Sequence, residues 1–167
     1  MGFKTRFFIW ELKLYSRKCF GYKQNEVGEL FIDEGQAEVV RTIYDLYLSG
    51  LSVLLIIREL EKRDMKSPQG KDRWSKHAIQ RILTNEKYIG HVLLGKTCTG
   101  DFRNNKQQKN DGSQDQFLMK NAHEPIIEEE KFERVQAEMK RRSNIEIVFG
   151  KAKRKGTHYS SKRKDQN

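Results

Sequence analysis

In the stretch WSKHAIQRILTN, Trp74 to Asn85, the side chains that can exchange hydrogen bonds with another molecule are Ser75, Lys76, His77, Gln80, Arg81 and Thr84. On a helix, residues three and four apart share a face, so Lys76, His77, Gln80, Arg81 and Thr84 fall on one side. Ala78, Ile79, Ile82 and Leu83 fall on the other. Lysine or arginine can donate to the O6 and N7 acceptors of guanine, and a glutamine amide can pair bidentately with adenine. Ser75, at the head of the helix, suits a phosphate, because the unsatisfied backbone N–H groups there attract anions. Arg73 adds a donor just upstream. An ordinary solvated helix face has the same spacing, so the location of charge must discriminate.

The chain of 167 residues carries 33 lysines and arginines against 23 aspartates and glutamates, a net charge of +10. Residues 1–50 balance at 7 of each sign, whereas residues 51–100 hold 10 basic against 5 acidic side chains and residues 151–167 hold 7 against 1. Basic surfaces gain affinity by releasing counterions from phosphates, which makes nucleic acid the first partner to consider. The helix at 75–84 lies in the first basic block. Lys151, Lys153, Arg154 and Lys155 open the second, a strip suited to phosphates without base preference.

Other chemistries find little support. Hydrophobic residues make up 36% and charged residues 34%, proportions of a modest core with polar arms rather than of a densely packed enzyme. Cys19 and Cys98 belong to no C-x-x-C pair, so neither a disulfide framework nor a zinc site is encoded, and a reducing cytoplasm fits. The histidines at 77, 91, 123 and 158 never pair at i, i+4; no metal or cofactor is expected. His91 is expected to pack or bond within a strand and His123 to shape the turn before Pro125. Glu128, Glu129 and Glu130 sit where a helix N-terminus favours negative charge. No apolar run approaches the roughly 20 residues that span a membrane, and RFFIWELKLY is too short and too charged for a secretory signal.

Three helices must position the polar face. Asp33 caps the first, with Gln36 completing a capping box and Gly50 stopping it. Ala37, Val40, Ile43, Tyr44, Tyr47 and Leu48 form its apolar stripe. Ser52 caps the second, which runs to about Arg63 with Leu51 stapled onto Ile56. Its VLLIIREL interior is more apolar than one buried face requires, which predicts burial from two sides or an interface, including self-association. After a loop broken by Pro68 and Gly70, Ser75 caps the third helix and Trp74 staples onto Ile79. KYIGHVLLGKT and FLMKNAHEPII predict the strands of a hairpin with a long polar tip, Cys98 to Gln116. EEEKFERVQAEMKRR predicts a final amphipathic helix with Phe132, Val135 and Met139 on its stripe. A short helix near Thr5 to Ser16 and an extended, then disordered, basic tail after Asn144 complete the expectation. The fold class is α+β and mostly helical, with helix-turn-helix or winged-helix character: two helices, then a hairpin.

The segments KCFGYK, W-S-x-x-x-I-x-R-I-L-T-N-x-K-Y-I-G and A-H-E-P-I-I, within a stretch from Cys19 to Arg142, closely resemble the recombinase domain of large serine recombinases. The resemblance implies a module that binds double-stranded DNA at an attachment-site half-site of a phage or mobile element. It also implies a serine catalytic domain as partner upstream and a zinc ribbon downstream. Residues 1–18 depart from the family pattern and are too few for that catalytic domain, so no catalytic residue is assigned. Tyr15 to Lys18 (YSRK) is a poor centre. The resemblance divides the chain into an N-terminal segment 1–18, a recombinase-type domain 19–143 and a basic flexible tail 144–167. A stand-alone winged-helix regulator, an intact DNA-acting enzyme and an inactive recombinase remnant stay open as alternatives.

Overall fold

A computed structural model describes residues 18–26, 29–99, 107–110, 112, 114–148 and 151–155. The helix expected near Thr5 to Ser16 lies outside the described residues. Among the described residues four α-helices, α1 (Glu34–Leu48), α2 (Val53–Lys62), α3 (Lys76–Thr84) and α4 (Glu129–Arg142), build one core. The strands among the described residues form four two-stranded antiparallel ribbons. They are β1 (Tyr22–Gln24) with β2 (Leu30–Ile32), β3 (Val92–Leu94) with β6 (Phe117–Met119), β4 (Thr97–Thr99) with β5 (Gln107–Lys109), and β7 (Ile145–Val148) with β8 (Lys151–Arg154). The protein is α+β and mostly helical.

Local signals account for the helix ends. Asp33 accepts from the Gln36 amide at 3.4 Å, and Ser52 accepts from the Leu55 amide at the same distance. The reciprocal half of the expected capping box is diverted. The Asp33 amide donates to the Gly21 carbonyl at 2.9 Å, and the Gln36 side chain accepts from the Gly21 amide at 2.9 Å. The would-be box thus stitches the start of α1 to the segment before β1.

Helix α1 ends as expected at Gly50, which sits at φ +100° while its amide reaches Tyr47 O and the Leu51 amide reaches Leu46 O. These are the paired bonds of a Schellman motif. Helix α2 ends with the same pair, Asp64 to Glu61 and Met65 to Leu60, but an aspartate occupies the left-handed position at φ 53°. A side chain at positive φ is strained, and an acid near a helix C-terminus opposes the dipole. Asp64→Gly is therefore expected to stabilise the chain by about 0.5 kcal/mol in a urea titration.

Helix α1 lies at the centre. Val40, Ile43 and Tyr44 from α1, Ile56 and Leu60 from α2, Ile79 and Leu83 from α3 and Val135 from α4 are all fully buried together. Each such aliphatic side chain contributes about 1.5 to 3 kcal/mol by leaving water.

The first predicted strand is shorter than expected. Glu86–Ile89 form a 3-10 turn, capped by Asn85 and closed by Gly90 at φ +76°, and only Val92–Leu94 are extended. Coiling there buries Tyr88 and Ile89 in one core, which a strand alternating between faces would not do. The second strand stops at Met119, after which the 122–127 segment folds back. The Ile126 and Ile127 amides both donate to Tyr88 O at 2.9 Å, and the Ala122 amide donates to Gly90 O at 2.8 Å. The hairpin tip carries its own ladder, β4 with β5. Residues 145–148 and 151–154 are not a single extended arm, since β7 and β8 pair from Ile145↔Arg154 to Val148↔Lys151. The disordered end expected of the tail, after residue 155, lies outside the described residues.

His123 shapes this region by donating from Nε2 to Lys87 O at 2.7 Å, with its ring edge-on to Tyr22 at 4.8 Å. Burial, aided by the nearby Lys87 and His91, pulls its pKa below the ordinary value of 6.5. The folded chain then binds this proton less readily than the unfolded chain. His123 should contribute stability above pH about 6.5 that is lost as pH falls through its depressed folded value. Urea titrations from pH 7.5 down to 5 should show a decline that His123→Gln flattens. His91 lies before β3 rather than within a strand; it is buried, with neither ring nitrogen hydrogen-bonded and Glu129 Oε1 3.6 Å from Nε2.

Candidate nucleic-acid interface

Helix α3 is held at both ends by residues distant in sequence. At its start Ser75 accepts from the Ala78 amide at 3.1 Å. Trp74 is buried; its amide donates to Glu61 Oε1 at 3.2 Å and its indole N–H to Met65 O at 2.7 Å. Phe20 meets the indole edge-on at 6.1 Å. The predicted staple thus becomes an anchor onto the end of α2.

The other end lacks a left-handed cap, because Asn85 is extended at φ −89° and ψ 112°. Terminal carbonyls of a helix need external donors. Tyr44 of α1 donates its hydroxyl to Ile82 O at 3.0 Å, and Gln136 of α4 donates to Leu83 O at 2.7 Å. Nothing in the residues around α3 announces either donor. Tyr44 belongs to the apolar stripe of α1 and Gln136 to the polar positions of α4, and only tertiary packing brings them here.

Between these clamps, Lys76, His77, Gln80 and Arg81 are exposed, as are Ser75 and Arg73 beside them. Lys76, Arg81 and Arg73 have no ion-pair partner among the described residues. Thr84 is exposed too, but its hydroxyl donates to Gln80 O at 2.8 Å, so it is already engaged within the helix. The predicted polar face is therefore real and continuous from Lys76 to Arg81. A helix of nine residues is about 13 Å long, a size a DNA major groove admits.

No contact among the described residues gathers the basic strip onto this face. Lys151, Lys153 and Arg154 are exposed on β8, and Lys155, half-buried, closes that ribbon with an amide bond to Asn144 O at 2.7 Å. Strands β7 and β8 pair only with each other among the described residues.

Apolar side chains on α2 and β6 are left exposed by the described residues. In α2, Ile56 and Leu60 are buried, but Leu54 and Leu55 are 52% and 48% exposed, so the described residues cover the helix from one side only. On β6, Phe117, Leu118 and Met119 are all exposed. No group of three or more histidines, cysteines, aspartates or glutamates is placed to hold a metal among the described residues. No helix among the described residues is long and apolar enough to cross a membrane.

A family model described as Recombinase matches residues 34–142, which runs from the start of α1 to the end of α4 and includes α3 with both of its clamps. A solved structure described as "Crystal Structure of a LSR-DNA Complex" is 25% identical and superposes with a TM-score of 0.58 over 84% of this chain and 41% of that one. Another, described as "Sequence Requirements of the Listeria innocua prophage attP site", is 27% identical with a TM-score of 0.48, over 74% of this chain and 42% of that one. The chain thus spans about two fifths of the length of these solved proteins. The match from α1 to α4, with the same fold as a large serine recombinase (LSR), leads to one conclusion: the chain belongs to the Recombinase family.

Proposed function

We propose that this chain binds double-stranded DNA as the recombinase domain of a site-specific serine recombinase, with α2 and α3 acting as a helix-turn-helix and α3 lying in the major groove. One observation carries this reading: the exposed, unpaired Lys76–Arg81 face sits on a short helix clamped at both ends to the core. A held helix keeps its side chains in register with base edges, which mobile side chains on a loose helix do not. The DNA complex of the structural relative supports it. In this reading Lys76, His77, Gln80 and Arg81 meet base edges, Arg73 and Ser75 meet phosphates, and Lys151, Lys153, Arg154 and Lys155 add contacts without base preference. Thr84 borders the interface. The site is an attachment-site half-site of a mobile element, the setting is cytoplasmic, and strand exchange comes from a serine catalytic domain.

Fluorescence anisotropy with a panel of duplexes tests this. Arg81→Ala is expected to weaken binding to the preferred duplex by about 1 to 3 kcal/mol and to relax preference at one base pair. Equal weakening on every duplex would make Arg81 a phosphate contact instead, and no binding of any duplex at low salt would sink the reading. The exposed Leu54 and Leu55 favour a second reading, a self-associating regulator. A monomer in size-exclusion chromatography at high protein concentration removes it.

A further inference from the structure

The corner between α1 and α2 faces the last turns of α4 across an open groove of about 780 Å³. Ser49, Gly50 and Ser52 lie along one wall, and Arg134, Arg141 and Arg142 along the other. Glu138 is the one carboxylate in the lining, so positive charge is in excess.

The three guanidiniums are not equivalent. Arg142 has a partner on each of its three nitrogens: Nε meets Glu138, and the terminal nitrogens donate to Leu51 O at 2.9 Å and Tyr47 O at 3.1 Å. Arg141 uses Nε and one terminal nitrogen on Glu138, at 2.7 and 2.6 Å, which leaves the other terminal nitrogen open to the groove region. Arg134 is exposed and has no partner among the described residues. These pairings hold the Glu138 carboxyl well below the usual carboxylate range, so it stays ionised and matched by Arg141 and Arg142. The surplus charge resides in Arg134 and the open edge of Arg141.

We infer that this groove seats a backbone phosphate of DNA, with Arg134 and Arg141 as its donors. Guanidinium forks match the oxygens of a phosphodiester in geometry as well as charge. The place is also apt, because α2 begins in the groove wall, and in a helix-turn-helix the helix that precedes the recognition helix is the one that meets the backbone. The first-turn amides of α2 add charge of the same sign. The inference rests on the DNA-binding reading and extends the contact from α3 to the far end of α4.

The test is a salt titration of anisotropy with a mixed-sequence duplex, using the full chain, Arg134→Gln, Arg141→Gln and the double variant. Each single change is expected to weaken binding about 3- to 10-fold on every duplex and to lower the slope of log K against log salt by about 0.9. Arg134→Lys keeps the charge and should retain most of the slope. Circular dichroism melts identify any variant that has unfolded, and Arg134, exposed and unpaired, serves where Arg141→Gln does not fold. Wild-type binding and slope in Arg134→Gln, alongside weakened Arg81→Ala, overturns this inference alone. Unchanged duplex binding with lost binding of a poly-glutamate peptide also overturns it, since the groove would then take an acidic protein segment. A wild-type chain that binds no duplex overturns the DNA reading and this inference together.

Discussion

Replacing Gly90 with alanine is expected to lower the stability of the chain by about 3 kcal/mol, which a urea titration followed by circular dichroism reads as a large drop in midpoint. Gly90 closes the 3-10 turn at φ +76°, a conformation in which an L side chain costs about 1 to 2 kcal/mol. A methyl group there would also stand 2.5 Å from the backbone oxygen of His123. Backbone cannot move aside as a side-chain tip can, particularly here, because bonds from Ala122, Ile126 and Ile127 tie the 122–127 segment to the turn. Gly50→Ala is the control. Its φ is similarly left-handed at +100°, but nothing lies within 4 Å of the added carbon, so only the strain of about 1 to 2 kcal/mol is expected. Equal losses in the two variants would show that the 122–127 segment yields.

The second large effect is expected at Arg142. Its guanidinium lies 4.5 Å from the centre of the Tyr47 ring while donating to Tyr47 O and Leu51 O, carbonyls at the end of α1 and in the link to α2. Hydrogen bonds from a charged donor are each worth about 1.5 to 3 kcal/mol when the site is shielded, and the ring contact adds about 0.5 to 1. The side chain is 26% exposed, so the low end applies, and Arg142→Ala should cost about 3 kcal/mol. Arg142→Lys should recover less than half, because an ammonium cannot reproduce the fork that spans two carbonyls. Arg141→Ala should cost far less, since Arg141 is 72% exposed and pairs only with Glu138 among the described residues, and solvent screens such a pair. A small loss in Arg142→Ala would mean that the corner between α1 and α2 holds without it.

These two sites differ in how plainly the residues announce them. Gly90 follows the apolar Tyr88 and Ile89 and carries a local cue, but the β-forming neighbours suggest a strand, and a glycine within a strand does not demand positive φ. What decides the matter is burial. A 3-10 turn places Tyr88 and Ile89 in the same core, where the Tyr88 ring also meets those of Tyr22 and Tyr44. Arg142 reads locally as one of three basic residues suited to a helix C-terminus, alongside Lys140 and Arg141. That general role is genuine, but its particular partners on α1 and α2 are visible only once α4 lies across their junction. The apolar excess of α2 is a contrasting case, because residue types correctly mark it as unusual, and the described residues leave Leu54 and Leu55 exposed.

The sequence by itself determined where the helices start and stop and which face of α3 is polar. Asp33, Ser52 and Ser75 cap amides three residues ahead, Gly50 stops α1, and the polar residues of α3 recur at helical spacing, so every interaction involved closes within about one turn. Tertiary structure alone decided how that polar face is held. The donors that finish α3 and the corner of α1 and α2 come from 38 to 95 residues away, from Tyr44, Gln136 and Arg142. A terminal carbonyl states that it needs a donor, and a local pattern carries no record of which distant side chain will arrive. That choice is made when the apolar stripes of α1, α3 and α4 close on one core, because burial is non-directional and leaves the polar groups at its edges to find partners in the geometry it creates.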